Sequence, residues 1–433
     1  MMTSRNVLNF PPEGYQETGI RFGLLHHYHI LGDEMGLGKT FQAIAVAELT
    51  SKRTLIVCPS YLKFNWYAEL EKFRKAGINN VKVLKTGKDF EQDFTNTEYI
   101  IMSYSMLKYA KRIFDWATFV VADEAHYLKN MEAQRTKYFH RFLYEAETER
   151  CALLSGTPIQ NRITEWFSLL KLCSYSPKKT NGWDISQDYP NTWKFNSTFS
   201  KARRINIGGR TITKFEGMRN VDLLKKYLSL KYIRRLAKNV LSLEEMIEKQ
   251  VVVEYKDDKE LGEAWSTNNS RRDASSTAKA NSALLKSYYT AKYLKDLLAE
   301  GEGPLVVFTA HLDSLRNIET ILKKDKKLRL AVWDGSTDAT RRAEAVRDFQ
   351  AGRKDVILCT IKSGNTGFNM TRAKHVIFND ESWVPGENDQ ACKRIHRYGQ
   401  DKVCTAHYII GSIQDKMIAD SLSEKREVLR RAM

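Results

Sequence analysis

The chain alternates short, almost unbroken apolar runs with longer stretches whose apolar positions recur at helical spacing. In the first half the runs are Thr54-Leu55-Ile56-Val57-Cys58, Tyr99-Ile100-Ile101-Met102, Phe119 to Ala122 and Cys151-Ala152-Leu153-Leu154. The second half repeats them as Leu305-Val306-Val307-Phe308, Leu328 to Val332, Val356-Ile357-Leu358-Cys359, His375-Val376-Ile377-Phe378 and Ala406-His407-Tyr408-Ile409-Ile410. A strand that is apolar at nearly every position has both faces buried, the condition of a parallel sheet covered by helices on either side. The pattern therefore predicts an α/β protein of two lobes, at residues 1–177 and 250–433. Between them Pro177 to Lys249 is mixed polar and aromatic and closes in a run from Val221 to Lys249 that reads as helical, so residues 178–249 are expected to be an inserted helical region. Lys256 to Ser282 is charged and rich in Ser, Asn and Ala, the composition of a connection or an exposed helix. The hinge is expected at Glu248 to Lys259, and Ser412 to Met433 reads as a terminal charged helix.

The first chemistry lies in Asp33-Glu34-Met35-Gly36-Leu37-Gly38-Lys39-Thr40, which follows a short apolar segment and opens a helical one. Glycines there let backbone N–H groups approach phosphate oxygens, a lysine reaches the β- and γ-phosphates, and a Thr hydroxyl ligates Mg²⁺. The dipole of the following helix favours the same anion. A strict Walker A pattern has glycine where this chain has Asp33. The second half of such a site is Asp123-Glu124-Ala125-His126, at the end of the run Thr118 to Ala122. A carboxylate at a strand's C-terminal end suits Mg²⁺, which assigns Asp123 to the ion and Glu124 to the attacking water. An Asp-Glu pair alone is also an ordinary strand-to-loop transition; its order after the Gly-rich loop favours the paired reading.

Composition adds a partner class. The 433 residues carry a net charge of +17, an excess that favours a polyanion and, above all, nucleic acid. A solvated basic surface is the alternative. No apolar run is long enough to span a bilayer and no signal-peptide pattern opens the chain, so a soluble intracellular protein is expected, without membrane association. The expected compartment is the cytoplasm or nucleoid of a bacterium or virus-infected cell, ahead of secretion, and the nucleus if the source is eukaryotic. Six scattered cysteines, none in a C-x-x-C pair, read as reduced core thiols. His26-His27-Tyr28-His29 has no carboxylate or cysteine at ligand spacing and reads as structural.

In the second lobe, Gln390-Ala391-Cys392-Lys393-Arg394-Ile395-His396-Arg397-Tyr398-Gly399-Gln400 places two arginines three residues apart, on one face if helical. Taken alone they are ordinary surface charge. In order with the other motifs they resemble a superfamily 2 helicase-like ATPase of the SWI/SNF type. The matching segments run from Tyr15-Gln16 to about Ile418 and include Leu55 to Pro59 through Trp66 and Glu69, Asp123 to Asn130, Leu154 to Asn161, Asp334 to Thr337, Gly364 to Met370 and Gln390 to Gln400.

The resemblance implies two RecA-like lobes and ATP with Mg²⁺ as cofactors. It implies that Gln16 reads the adenine edge, that Gly36, Gly38, Lys39 and Thr40 hold phosphates and Mg²⁺, and that Gln390 faces the nucleotide. Arg394 and Arg397 would complete the catalytic set, and Ser155, Gly156 and Thr157 would couple nucleotide state to a DNA track, with Gly367 and Asn369 in a second coupling loop. The implied partner is duplex or branched DNA, contacted mainly through phosphates because a translocase tolerates any sequence. Candidate contacts are Ser60, Lys63, Ser103, His126, Lys129, Asn130, Thr360, Lys362 and Trp383. Phe195, Phe199, Gly217, Asn220, Leu223 and Leu224, followed by Tyr232 to Leu236 and Val240-Leu241, resemble the annealing-helicase branch. A nearly minimal monomeric motor is expected. Two alternatives stay open: a strand-separating DNA or RNA helicase, and a nucleic-acid-binding scaffold with a degenerate site, against which the intact Lys39, Asp123, Glu124, Arg394 and Arg397 argue. No segment reads clearly as a strand-separating pin, although Gly208 to Thr213 leaves room for a hairpin.

Overall fold

Strands that are apolar on both sides must be sandwiched, and the computed structural model shows how. It describes residues 7–146, 148–174, 184–207, 210–241, 244–253, 276–364, 368–397 and 399–433. The chain forms two compact units, Met1–Val240 with Glu427–Met433, and Leu241–Arg426. The first holds a seven-stranded sheet built from β1 (Tyr28–Leu31), β2 (Thr54–Cys58), β3 (Val81–Val83), β4 (Tyr99–Ser103), β5 (Phe119–Asp123), β6 (Arg150–Leu154) and β9 (Tyr232–Ile233). Their order is β3-β4-β2-β5-β6-β1-β9, and every pairing is parallel. Successive side chains alternate between faces. Leu55, Val57, Val120 and Leu153 therefore join one core with Trp166, Phe139 and Phe142. Ile56, Val121, Ala152 and Leu154 join the other with Ile44, Trp66 and Leu70. The last residues belong to the first of these cores, where Leu429 and Ala432 are buried and Trp166 Nε1 donates to the Ala432 carbonyl at 3.2 Å.

The second unit is built likewise from β10 (Ile247–Val252), β11 (Leu305–Thr309), β12 (Leu330–Trp333), β13 (Val356–Thr360), β14 (His375–Phe378) and β15 (Thr405–Ile410). All are parallel, in the order β10-β15-β14-β11-β13-β12. Val306, Phe308, Ile357 and Phe378 face one core and Leu305, Val307, Leu358 and Ile377 the other. All six cysteines are buried as free thiols.

The inserted region carries helices Ile185–Asp188, Thr192–Phe199 and Val221–Ser229, together with an antiparallel hairpin of β7 (Lys201–Ile207) and β8 (Arg210–Glu216). The run read as helical from Val221 to Lys249 stops at Ser229, because Tyr232 and Ile233 pair with Ile30 and Leu31 at the edge of the first sheet. The hinge expected at Glu248 to Lys259 is also corrected. Residues 248–252 lie in β10, hydrogen-bonded along β15, while residues 254–259 fall outside the described set.

Burial leaves two histidines reluctant to ionise. His29 in the first unit and His407 in the second are both held down to about 4, each chiefly by loss of water around the ring. As pH falls from about 6.5 toward 4 the unfolded chain takes up protons there that the folded units do not. Stability then falls, by at most about 1.4 kcal/mol per pH unit for each histidine. Urea unfolding at pH 7 and pH 5 measures the slope, which His407→Gln is expected to flatten for the second unit.

Candidate active site

The phosphate-loop expectation rests on backbone geometry. Gly36 and Gly38 have φ of 86° and 73°, the left-handed region that glycine enters without steric cost. Gly38 caps the helix Lys39–Thr50, whose first N–H groups lack partners within the helix. A Cβ added at Gly38 would stand 2.6 Å from Gln16 Nε2, so Gln16 packs directly on the loop. Lys39 Nζ donates to the carbonyls of Asp33 at 2.8 Å and Glu34 at 3.3 Å. Burial lowers its pKa, opposed by the charges of Glu124, Asp33 and Asp123. Ser155-Gly156-Thr157 follows β6 and passes against the same loop: a Cβ at Gly156 would meet Met35 Cγ at 2.9 Å and Lys39 Nζ at 3.4 Å.

Asp33, where a Walker A glycine would stand, is fully buried and clasped by Arg235. The Arg235 Nε and backbone N–H donate to Asp33 Oδ1 at 2.8 and 3.0 Å, and Nη2 donates to Oδ2. Gln42 Nε2 donates to Oδ2 at 3.0 Å. Next to it Arg234 Nη1 donates to the carbonyls of Gly32 at 3.0 Å and Gly156 at 2.9 Å, and Ala237 N–H donates to Glu34 Oε2 at 2.6 Å. The segment that returns to the sheet through β9 thus braces the loop from outside. Arg234 and Arg235 carried only a branch resemblance in the sequence; a buried acid off the Walker pattern was the signal that could have found its cation.

At the end of β5, Asp123 Oδ2 accepts from Trp66 Nε1 and Oδ1 from the Glu124 N–H, both at 2.8 Å, while Tyr104 Oη donates to the Asp123 carbonyl at 2.7 Å. Burial and the charge of Glu124 push Asp123 up to about 6, and the Trp66 hydrogen bond resists. Asp123 offers carboxylate oxygens of the kind Mg²⁺ takes, and Thr40 stands in the first turn of the helix Lys39–Thr50 behind the phosphate loop. Glu124 sits at φ 52°. Its Oε2 lies 3.2 Å from His126 Nδ1, which is 3.4 Å from Ser155 Oγ, which accepts from the Thr157 N–H at 3.2 Å. Both contacts are to the one ring nitrogen Nδ1, so His126 stands between the acid after β5 and the motif after β6.

The remaining first-unit candidates lie at or beyond the carboxyl ends of β2, β4 and β5, where ligands of open parallel sheets sit. Ser60 and Asn130 are exposed. Ser103 is buried, its Oγ 2.9 Å from Ser105 Oγ. Lys129 Nζ is bound to Gln160 Oε1 at 2.9 Å and Glu165 Oε1 at 3.3 Å. Lys63 is buried and donates to the Leu84 carbonyl at 2.8 Å.

In the second unit Gln390 and Arg394 are buried, the Arg394 carbonyl accepts from the Met370 N–H at 2.9 Å, and Arg397 Nη1 donates to Asn369 Oδ1. Thr360 and Lys362 line a pocket with Ala310, Asp334, Ser336 and Glu387 at the carboxyl ends of β11, β12 and β13. Trp383 is 37% exposed with Lys279 Nζ 4.6 Å over its ring. Gly367 lies outside the described residues.

A glycine loop on a helix N-terminus, an Asp-Glu pair on an adjacent strand end and two parallel helix-covered sheets define a P-loop nucleotide-binding protein of the helicase-like class. Residues 15–295 match the SNF2-related domain and residues 289–399 the helicase conserved C-terminal domain. The chain belongs to the SNF2-related family. It is 28% identical over 441 residues to the SWI/SNF-related matrix-associated actin-dependent regulator of chromatin subfamily A-like protein 1 of Xenopus tropicalis, covering 96% of this chain and 44% of that protein. It is 28% identical over 462 residues to the human DNA annealing helicase and endonuclease ZRANB3, covering 98% of this chain and 41% of that one. An uncharacterized ATP-dependent helicase of Mycoplasma genitalium is 26% identical, with 93% and 40% covered. The chain thus spans less than half the length of these relatives. The Sulfolobus solfataricus SWI2/SNF2 ATPase core in complex with dsDNA is 21% identical, covers 98% of this chain and 97% of that one, and superposes with a TM-score of 0.46. Among the described residues no helix is long and apolar enough to cross a membrane.

Proposed function

We propose that this chain is an ATP-driven motor that translocates on duplex DNA and acts at forks or branches, where strands are rewound. The observation that supports the reading is the placing of His126 Nδ1 within 3.2 Å of Glu124 Oε2 and 3.4 Å of Ser155 Oγ, which brings the Asp-Glu pair beside a motif lying on Lys39. Bound Mg²⁺ would neutralise charge on the β- and γ-phosphates. In this reading Lys39 and the loop N–H groups hold the phosphates, Gln16 holds the base, Asp123 and Thr40 hold the ion, and Glu124 takes a proton from water. By the family resemblance Arg394 and Arg397 belong to the catalytic set; Arg397→Ala is expected to lower turnover while nucleotide binding is kept, and an unchanged rate removes it from the set. Removing the Trp66 hydrogen bond with Trp66→Phe should raise the Mg²⁺ concentration for half-maximal hydrolysis about tenfold, checked by Mg²⁺ titration.

Support for DNA as the track comes from the +17 charge and from the human relative named a DNA annealing helicase. Steady-state ATP hydrolysis with no nucleic acid, duplex, single-stranded and forked DNA, and RNA, with Lys39→Ala as blank, tests the proposal. Stimulation by duplex with a further gain on forks supports it. Stimulation only by single strands or RNA replaces it with a strand-separating helicase, and no hydrolysis under any condition replaces it with a binding scaffold.

A further inference from the structure

The hairpin of β7 and β8 takes no part in the site above. Its register sets Arg203 opposite Lys214 and Ile205 opposite Ile212. Side chains alternate across a ribbon, so Lys201, Arg203 and Ile205 share a face with Ile212, Lys214 and Glu216, with Glu216 directly opposite Lys201. Lys201, Arg203, Arg204 and Lys214 are all exposed, and none forms an ion pair with a described residue. Ile212 is 47% exposed, and neither it nor Ile205 belongs to any of the four apolar cores.

By its own energetics this ribbon is poorly designed. Arg203 and Lys214 set like charges directly opposite one another, which opposes pairing; Lys201 opposite Glu216 offsets part of this, and a two-stranded ribbon outside the cores adds little more. Both features make sense against a polyanion. Phosphates placed along Arg203 and Lys214 would turn the repulsion into attraction, and an isoleucine pair needs apolar surface to cover it. Linear duplex supplies phosphates, but its base faces are stacked. A branch point supplies phosphates on its arms together with the uncovered face of the last base pair, against which apolar side chains can lodge.

Resting on the DNA-motor reading, we infer that the β7–β8 hairpin is a contact element for DNA branch points, with Arg203 and Lys214 on phosphates and the Ile205–Ile212 pair on the exposed base pair. At about 3.4 Å per residue its seven paired positions extend about 24 Å, enough to follow an arm for several phosphates.

The test uses the full chain with two double substitutions, Arg203→Glu with Lys214→Glu, and Ile205→Ser with Ile212→Ser. Neither touches a core, and urea midpoints matching wild type confirm folding. Binding to a fork and to a linear duplex of equal length is followed by fluorescence anisotropy from 50 to 200 mM salt, with linear-duplex-stimulated hydrolysis as control. The wild type should prefer the fork. The charge variant should lose fork affinity about tenfold and about 2 units of salt slope. The isoleucine variant should lose the fork preference and keep the slope, and both should hydrolyse ATP on linear duplex within about twofold of wild type. Wild-type binding that does not favour the fork, unchanged variants, or equal losses on fork and linear duplex each overturn the inference. A wild type that neither binds duplex nor is stimulated by it overturns the motor reading itself, an outcome separate from an active wild type with unaffected hairpin variants.

Discussion

Replacing Glu124 with glutamine is expected to cut ATP turnover roughly 10²–10⁴-fold while bound nucleotide persists. The amide keeps the size of the side chain and its reach to His126, 3.2 Å away, but has no free carboxylate to receive a proton. The ion site should survive, because Asp123 takes its hydrogen bonds from Trp66 and from the Glu124 backbone N–H, and the substitution alters neither donor. Single-turnover hydrolysis with labelled ATP measures both quantities, and wild-type turnover would remove Glu124 from the role of base. Backbone strain offers an independent control. A non-glycine residue at φ 52° costs about 1–2 kcal/mol, so Glu124→Gly should leave stability equal or improved while turnover is lost. A loss of stability would mean that this residue supports the fold, with chemistry secondary.

Arg235→Ala is expected to destabilise the first unit by about 3–5 kcal/mol, the usual cost of leaving a buried carboxylate without its cation. Asp33 has no exposed surface through which water could replace the guanidinium, and Gln42 alone cannot neutralise it. Denaturant unfolding reads the loss, and nucleotide affinity should fall with it because Asp33 opens the phosphate loop. Asp33→Ala added to Arg235→Ala should recover much of the loss, since the orphaned charge goes with it. A loss below about 1 kcal/mol in the single variant would mean that the pair is dispensable.

What could be read from sequence was whatever local pattern dictates. Most interior strands announce themselves because burial on two faces favours apolar side chains; β1, whose apolar run is broken by the buried His29, was not among them. The loop and the Asp-Glu pair announce themselves because phosphate and metal chemistry demand particular residues at fixed spacing. The short edge strands escaped: β3 is Val-Lys-Val, β9 has two residues and β10 is Ile-Glu-Lys-Gln-Val-Val, since an edge tolerates, and is protected by, charge. The supports of the site escaped for another reason. Arg235 reaches Asp33 across 202 positions and Trp66 reaches Asp123 across 57, and no periodicity in a single chain encodes such a meeting. Lys63 and Lys129, candidate phosphate contacts in the sequence, are held in the structure by the Leu84 carbonyl and by Gln160 and Glu165, partners that their sequence neighbours do not reveal.

The burial of Leu429 and Ala432 in the first unit's core bears on how the protein is made. A ribosome that has released residues 1–240 has delivered every strand of that sheet, yet must synthesise the whole second unit before the chain that seals the core emerges. During that interval Trp166 lacks the carbonyl it binds in the finished protein, and the apolar surface around it stays open to chaperones. The half made first is therefore the half completed last, and a chain cut after residue 240 would carry this gap permanently.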